Sequence, residues 1–191
     1  MFQIRTVTSG LCPKKWPSGF TLMEMIVVMA IVAVMILIAV PSFLSISSRG
    51  QLKSAARDII SNMQYTRIQA IKKSATWAVQ FDVADSRYRL LSDDGADDTW
   101  NTGDDTVYKT VNLSDYPGVS YGSGHGVYPG GSSVDNGVTF SADRVTFKSN
   151  GTSESGTVYI KNREGDTFAI TSLSATGRIK TYYHYGTAWE E

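Results

Sequence analysis

A single carboxylate lies inside the most apolar stretch of this 191-residue chain. Glu24 is the fifth residue of a run from Phe20 to Val40 in which only Thr21 is also polar. An ionised carboxylate in an apolar environment is costly and is usually paired or functional. Cleavage of the chain after Gly19 would create an α-amino group on Phe20, which is the natural cation for Glu24. The alternative is a carboxyl group near the membrane interface that is protonated or extends toward water.

The apolar run is long enough to cross a membrane. Its 21 residues would span about 31 Å as a helix, which matches the hydrocarbon core of a bilayer. An ordinary secretory signal has a shorter apolar core and a small-residue cleavage site after it. Here Pro41 and a renewed helical pattern follow instead. We therefore expect the segment to be retained rather than discarded.

Carboxylates are concentrated in a second region, between two predicted strands. Flexible loops with several oxygen ligands suit Ca²⁺, but the spacing here does not match an EF-hand. The sequence favours a solvated acidic loop, with a Ca²⁺ site as the alternative. The candidate calcium ligands are Asp93, Asp94, Asp97, Asp98, Asp104 and Asp105. No other cofactor is predicted, because His125 and His184 have no metal-ligand spacing.

Residues 19–24 carry a family resemblance. Their sequence, Gly-Phe-Thr-Leu-Met-Glu, resembles the class III signal of type IV pilins and type II secretion pseudopilins. The resemblance implies that prepilin peptidase cuts after Gly19 and methylates Phe20. It also implies that Glu24 neutralises the N-terminus of a neighbouring subunit during filament assembly. Pro41 falls where the family often has a helix-kinking proline.

The C-terminal third is similar to the GspH/FimT group of minor pilin-like proteins. The similarity lies in Phe147-x-x-Asn-Gly-Thr152, residues 156–160 and Thr176-Gly-Arg-Ile-Lys180. Some FimT-like pilins bind DNA through a C-terminal Gly-Arg-x-Arg motif, so Arg178 and Lys180 are candidate DNA-binding residues. Lysine keeps the charge but loses the planar fork of arginine. The alternative is a strand edge kept soluble by its charges.

Composition excludes several functions. The predicted leader contains Arg5, Lys14 and Lys15, so the remaining chain has 15 basic and 18 acidic residues and a net charge of −3. Such a balance does not indicate bulk nucleic-acid binding. The only cysteine, Cys12, lies in the leader, so the mature chain would have no disulfide. No catalytic constellation is readable, and we predict that the chain is not an enzyme.

Hydrophobic periodicity predicts an α+β fold, and the family resemblance implies that this fold is of the pilin type. Apolar residues from Leu44 to Ala70 recur mostly at three- and four-residue steps, so an amphipathic helix is expected to continue to about Lys73. From Trp77 the period becomes two, as in antiparallel strands. We expect a hairpin at residues 77–82 and 87–92, a short strand at 138–140 and a C-terminal meander of strands at 157–161, 167–171 and 177–183. Residues 117–137 form a long Gly/Ser-rich loop. The predicted regions are a leader at 1–19, a transmembrane or filament-core helix at 20–40, an amphipathic half-helix at 41–74 and a β-rich periplasmic domain at 75–191.

Together these features predict a structural subunit. The expected function is that of a minor pilin or pseudopilin in a type II secretion pseudopilus or type IV pilus, and the alternative is a FimT-like receptor that binds DNA for natural transformation. The expected location is the inner membrane, with a single pass and a periplasmic C-terminal domain, and then the filament. The resemblance implies other pilins, prepilin peptidase and an exported protein or DNA as partners.

Overall fold

The computed structural model describes residues 19–95, 99–100, 102–127 and 136–191, and the side chains of residues 37–46 are not described. One long helix precedes the strands in chain order. Short 3₁₀ turns cover Leu113–Asp115 and Ser141–Asp143. The helix and strands are α1 Leu22–Lys73, β1 Trp77–Asp82, β2 Arg87–Asp93, β3 Thr106–Asn112, β4 Ser120–Tyr121, β5 Arg144–Phe147, β6 Gly156–Lys161, β7 Thr167–Leu173, β8 Arg178–His184 and β9 Trp189–Glu190.

Helix α1 ends where the sequence predicts. Lys72 and Lys73 lie in its last turn, where positive charge interacts favourably with the helix dipole. Ser74 adopts a left-handed backbone with φ of 53°, and this conformation stops the helix. The chain divides into two compact units, Met1–Pro41 and Ser42–Glu191.

The strands form two antiparallel sheets. The first has the order β3-β2-β1-β5 and the second has the order β4-β6-β7-β8-β9. The predicted hairpin of β1 and β2 is present and pairs Val79 with Leu90. The predicted C-terminal meander is also present as β6, β7 and β8. These sheets and the N-terminal helix confirm the α+β prediction.

Two strand predictions needed correction. Residues 138–140 were expected to form a short strand, but only an isolated bridge joins Val138 to Val158. The predicted Gly/Ser-rich loop contains a short strand, β4, that pairs with the end of β6. Glycine and serine have low strand propensity, so periodicity did not indicate β4. It forms because Tyr121 is buried and pairs opposite Ile160.

The second half of α1 packs its apolar stripe into the core. Leu52, Ile59 and Met63 are each at most 1% exposed, at the spacing that brings residues to one helix face. They share one core with side chains from both sheets, including Phe81 and Phe147. The predicted stripe is therefore the surface that holds the helix to the strands.

A buried polar network also joins α1 to the first sheet. The Tyr88 hydroxyl donates to Asp58 Oδ2 at 2.5 Å, and Asn62 Nδ2 donates to Tyr88 Oη at 2.8 Å. Lys109 of β3 donates to Asn62 Oδ1 at 3.2 Å. Burial and the hydrogen bond to Asp58 raise the pKa of the Tyr88 phenol far above its usual value. The phenol thus remains a neutral donor that fixes the helix against β2.

Candidate assembly site

The first turns of α1 expose an apolar surface. Every large apolar side chain from Phe20 to Ile36 is between 43% and 79% exposed. Phe20 and Leu22 are each 79% exposed. Contiguous apolar surface of this extent is typical of a site that binds a membrane or another protein. The described residues provide no cover for it within the chain.

Glu24 has a local role at the start of the helix. Thr21 Oγ1 accepts a hydrogen bond from the Glu24 backbone N–H at 3.2 Å. The Thr21 N–H donates back to Glu24 Oε2 at 3.4 Å. This reciprocal pair is a capping box, in which a threonine and a glutamate three residues later satisfy each other's backbone donors. The carboxylate also lies at the positive end of the helix dipole.

The capping contacts leave Glu24 open to a partner. The 3.2 Å hydrogen bond is at the long end of the normal range and the 3.4 Å hydrogen bond lies beyond it, and Glu24 is exposed. Gly19 and Phe20 lie immediately before the helix and are exposed as well. The structure thus brings the three predicted processing and assembly residues to one helix end. Pro41 lies within the bounds of α1, but its side chain is among those not described.

Residues 20–40 were predicted to form a helix that crosses a membrane. Within the described residues, no helical stretch has both the length and the apolar character that a membrane crossing requires.

The acidic loop is described only in part. Its described carboxylates act as local acceptors: Asp93 Oδ1 accepts from the Gly95 N–H at 3.0 Å, and Asp105 Oδ2 accepts from the Thr102 N–H at 3.0 Å. Asp104 Oδ1 accepts from the Thr102 hydroxyl at 2.5 Å. Asp94 is described too, whereas Asp97 and Asp98 lie outside the described residues. No group of three candidate metal ligands occurs in the part of the chain that was searched, and Ca²⁺ binding stays a prediction.

The two candidate DNA-binding residues differ in their surroundings. Arg178 and Lys180 alternate on β8 and lie on the same face. Arg178 is exposed. Lys180 Nζ forms a 2.6 Å ion pair with Glu191 Oε1, and this hydrogen bond raises the pKa of the lysine. The motif therefore presents one cation that is already neutralised, which the sequence did not indicate.

The motif glycines have a structural role that centres on Arg67 of α1. Its Nε donates to the Gly151 carbonyl at 3.0 Å, and its Nη2 donates to the Thr176 carbonyl at 2.8 Å. Gly177 has φ of +59°, and a Cβ there would lie 2.2 Å from the Gly151 oxygen. Arg67 thus joins two tight turns to the helix. These turns contain the Asn-Gly-Thr and Thr-Gly-Arg segments that carried the family resemblance.

The two histidines meet in space although 59 positions separate them. The rings of His125 and His184 stack with centroids 4.0 Å apart. His184 Nδ1 accepts from the Gly186 N–H at 3.0 Å. Partial burial and the neighbouring His125 lower the pKa of His184. Sequence spacing gave no sign of this pair, because it depends on the loop after β4 lying against β8.

The family comparison decides what kind of protein this is. The sequence matches the family model described as type II transport protein GspH over residues 55–177. The chain belongs to the GspH family. This match covers residues 55–73 of α1 and strands β1 to β7, and it confirms the predicted resemblance. Members of the GspH family are structural subunits, so the prediction that the chain is not an enzyme is also confirmed.

Solved structures of pilin-like proteins are similar to this chain. The type IV minor pilin FimU of Pseudomonas aeruginosa is 15% identical, with a TM-score of 0.50, and the match covers 76% of this chain and 97% of that one. Two structures of the minor pseudopilin EpsH from the type II secretion system of Vibrio cholerae also match. They are 14% and 17% identical, with TM-scores of 0.48 and 0.45; each match covers 69% of this chain, and 95% and 93% of theirs. The comparison with curated proteins finds no match.

Family membership establishes the general function. The chain belongs to the pilins and pseudopilins of the GspH family, whose model is described as a type II transport protein. Members of this family assemble with other pilins or pseudopilins in a filament. The family is membrane-anchored and contributes to a pseudopilus that faces the periplasm.

Proposed function

We propose that the protein is a minor subunit of a type II secretion pseudopilus that supports protein export. Prepilin peptidase cuts after Gly19 and methylates the new N-terminus at Phe20. The apolar helix of residues 20–40 anchors the chain in the inner membrane and then packs among other helices in the filament. Residues 75–191 form the periplasmic domain. The exported protein is a further partner of this machine.

The observation that carries the proposal is the exposed helix start. The apolar side chains from Phe20 to Ile36 have no cover among the described residues, and removal of such area from water is favourable by about 25 cal/mol per Å². Lipid and neighbouring apolar helices are the two surroundings that supply this cover. Insertion followed by assembly uses both in turn.

Glu24 gives the assembly step its specificity. Its carboxylate accepts only a long hydrogen bond from Thr21, so a neighbouring subunit can compete for it with a charged amine. An amine–carboxylate hydrogen bond is shorter and stronger than a neutral one. We infer that Glu24 exchanges the Thr21 N–H for the Phe20 amine of a neighbouring chain as the filament grows.

The DNA-binding alternative has weaker support. Phosphate contacts need available cations, and Lys180 already binds Glu191. Arg178 alone is a small basic site in a chain whose net charge would be −3 after processing. A salt-dependent shift in the electrophoretic mobility of duplex DNA caused by the full-length chain would favour this alternative, if the shift were lost in Arg178→Ala.

The test of the proposed function is the intact mass of the chain. We expect cells with prepilin peptidase to yield a protein that begins at N-methyl-Phe20, and cells without it to yield the longer chain. Gly19→Val is expected to block cleavage in the presence of the peptidase, whereas Leu22→Val serves as a matched control that is still cut. An uncut wild-type chain in peptidase-positive cells would contradict the proposal.

A further inference from the structure

One edge of β8 is only partly covered. On one side β8 pairs with β7 from Arg178 to His184. On the other side β9 pairs only with Tyr183 and His184. The stretch from Arg178 to Thr181 therefore has no strand partner on that side within the described residues. The unpaired N–H and C=O groups of such an edge are a template for another extended chain.

The strand already seated on this edge is acidic. β9 is followed directly by Glu191, whose Oε1 accepts from Lys180 Nζ at 2.6 Å. The Tyr183 hydroxyl donates to the Glu190 carboxylate, which raises the pKa of Tyr183. The Trp189 ring lies edge-on to His184, with ring centroids 5.4 Å apart. An extended acidic segment thus fits the end of the edge through backbone pairing and through carboxylate contacts.

Cations lie on both sides of the uncovered part of the edge. A groove of about 380 Å³ runs between α1 and β8, and Lys53, Arg57 and Tyr183 line it. Arg178 is exposed on the opposite face of β8, because successive residues of a strand alternate in direction. None of the ion pairs found in the described part of the chain involves Lys53, Arg57 or Arg178. A strand added beside β8 would therefore meet positive charge with each of its two faces.

We propose that the β8 edge from Arg178 to Thr181, with the adjoining groove, binds an extended acidic segment of another protein by strand addition. The backbone of the segment would supply affinity through hydrogen bonds, and its carboxylates would supply selectivity. A nucleic acid fits less well, since it cannot pair with the N–H and C=O groups of a strand edge. This recognition surface goes beyond a filament role, because neither packing of α1 nor processing at Gly19 requires it.

The first test measures peptide binding to the full-length chain in detergent micelles. The probe is a fluorescent nine-residue peptide that alternates glutamate with valine. Its binding is measured by fluorescence anisotropy. Two control peptides replace glutamate with glutamine or carry N-methyl groups on alternate backbone nitrogens. We expect the acidic peptide to bind at least about tenfold more tightly than either control, which corresponds to about 1.4 kcal/mol. Equal binding of the N-methylated peptide would overturn strand addition.

The second test locates the site with variants of the chain. Arg57→Glu is expected to weaken binding of the acidic peptide about tenfold, because ionic contacts at a partly exposed rim have this order of size. Lys72→Glu, in the last turn of the same helix, should leave binding of the peptide unchanged. Glu191→Gln should tighten binding about two- to threefold, because it releases Lys180 for the peptide. Equal effects of the two helix variants would overturn the proposal. The proposal would also be overturned if the chain bound duplex DNA but not the peptide, and Arg57→Glu abolished the DNA binding.

These results are separable from the proposed filament function. The peptide measurements use the uncut full-length chain and do not depend on processing or assembly. Peptide binding with no cleavage at Gly19 would contradict the proposed function alone. Cleavage and incorporation with no peptide binding would contradict the recognition surface alone.

Discussion

The two halves of α1 share one helical conformation but differ in what surrounds them. Met29, in the first half, is 65% exposed, whereas Met63, in the second half, is 0% exposed. The second half is amphipathic and its apolar stripe faces the sheets. The first half is apolar on all sides, and its large apolar side chains from Leu22 to Ile36 are exposed. The same backbone structure therefore serves two purposes, which are set by the pattern of side chains.

This difference separates folding from assembly. A side chain that is buried within the chain contributes to the free energy of unfolding, since its exposure to water reverses a favourable transfer. An exposed apolar side chain contributes nothing of this kind until a partner covers it. Substitutions in the second half should therefore change stability, and substitutions in the first half should change incorporation.

The largest stability difference is expected between two substitutions of the same type. Met63→Ala should lower the free energy of unfolding by about 2–5 kcal/mol, because it removes a buried side chain and leaves a cavity. Met29→Ala should change it by less than about 0.5 kcal/mol, as is usual for an exposed position. Denaturant unfolding of the two full-length variants in the same detergent measures both. Similar losses of unfolding free energy in the two variants would contradict the distinction between the two halves of α1.

A smaller loss of stability is expected when the hydrogen bonds of Arg67 are removed. Arg67→Met should lower the free energy of unfolding by about 1–3 kcal/mol, because the Gly151 and Thr176 carbonyls lose charged donors. Arg57→Met is the matched control on the same helix, since none of the ion pairs among the described residues involves Arg57. Thermal unfolding measures both variants. An Arg67→Met variant as stable as Arg57→Met would show that the two turns do not need the helix.

Asp82 makes a pH-dependent contribution to the free energy of unfolding of the packed unit, which is the compact unit Ser42–Glu191. Burial opposes ionisation of this carboxyl, but hydrogen bonds from Arg89 and Arg87 outweigh it and hold its pKa below the usual value. Because the folded-state pKa is the lower one, the carboxylate stabilises the folded chain at neutral pH. This contribution is lost as the pH falls from about 4 toward the folded-state pKa.

Asp82→Asn should therefore be less stable than the wild type by about 1 kcal/mol at pH 7, a typical size for a small surface ion-pair network. The difference should shrink as the pH falls below about 4. Denaturant unfolding at both pH values measures it. Asp85→Asn is the control, because this carboxylate is more exposed and contacts Arg87 alone. A difference that stays constant across these pH values would contradict the assigned role of the arginines.

The smallest effect is expected at the start of the first half. Thr21→Val should remove half of the capping box and fray the first turn at a cost of about 1 kcal/mol. Since none of the described residues buries this turn, the loss should be local and the melting temperature of the packed unit should not change. Amide hydrogen exchange at residues 22–25 measures the fraying. A lower melting temperature would mean that the helix start does stabilise the packed unit.

Local pattern predicted most of the fold. The stripe from Leu52 to Ala70 has the period of a helix, and the residues of β1 and β2 alternate, so both elements followed from spacing. The loop that contains β4 has low strand propensity, so β4 was not predicted. It forms because Tyr121 is buried beside β6. The sequence predicted strands but not their division into two sheets, because that division depends on pairings between distant segments.

The candidate sites were predictable to different degrees. Glu24 is conspicuous because it is a charge in an apolar run. Its capping partner was missed, although Thr21 followed three residues later by a glutamate is a readable signature. The ion pair of Lys180 with Glu191 and the stack of His125 on His184 depend on tertiary placement. No spacing rule indicates such contacts.

The most direct test of the distinction between the two halves is incorporation of Glu24→Ala into filaments, measured alongside its thermal unfolding. Glu24→Asp is the conservative control. We predict that Glu24→Ala leaves the melting temperature of the full-length chain unchanged and abolishes incorporation, because the neighbouring amine would be left buried and unpaired. Partial incorporation of Glu24→Asp would agree with a charge that is retained but poorly placed. Normal incorporation of Glu24→Ala would contradict the assembly role of the first half.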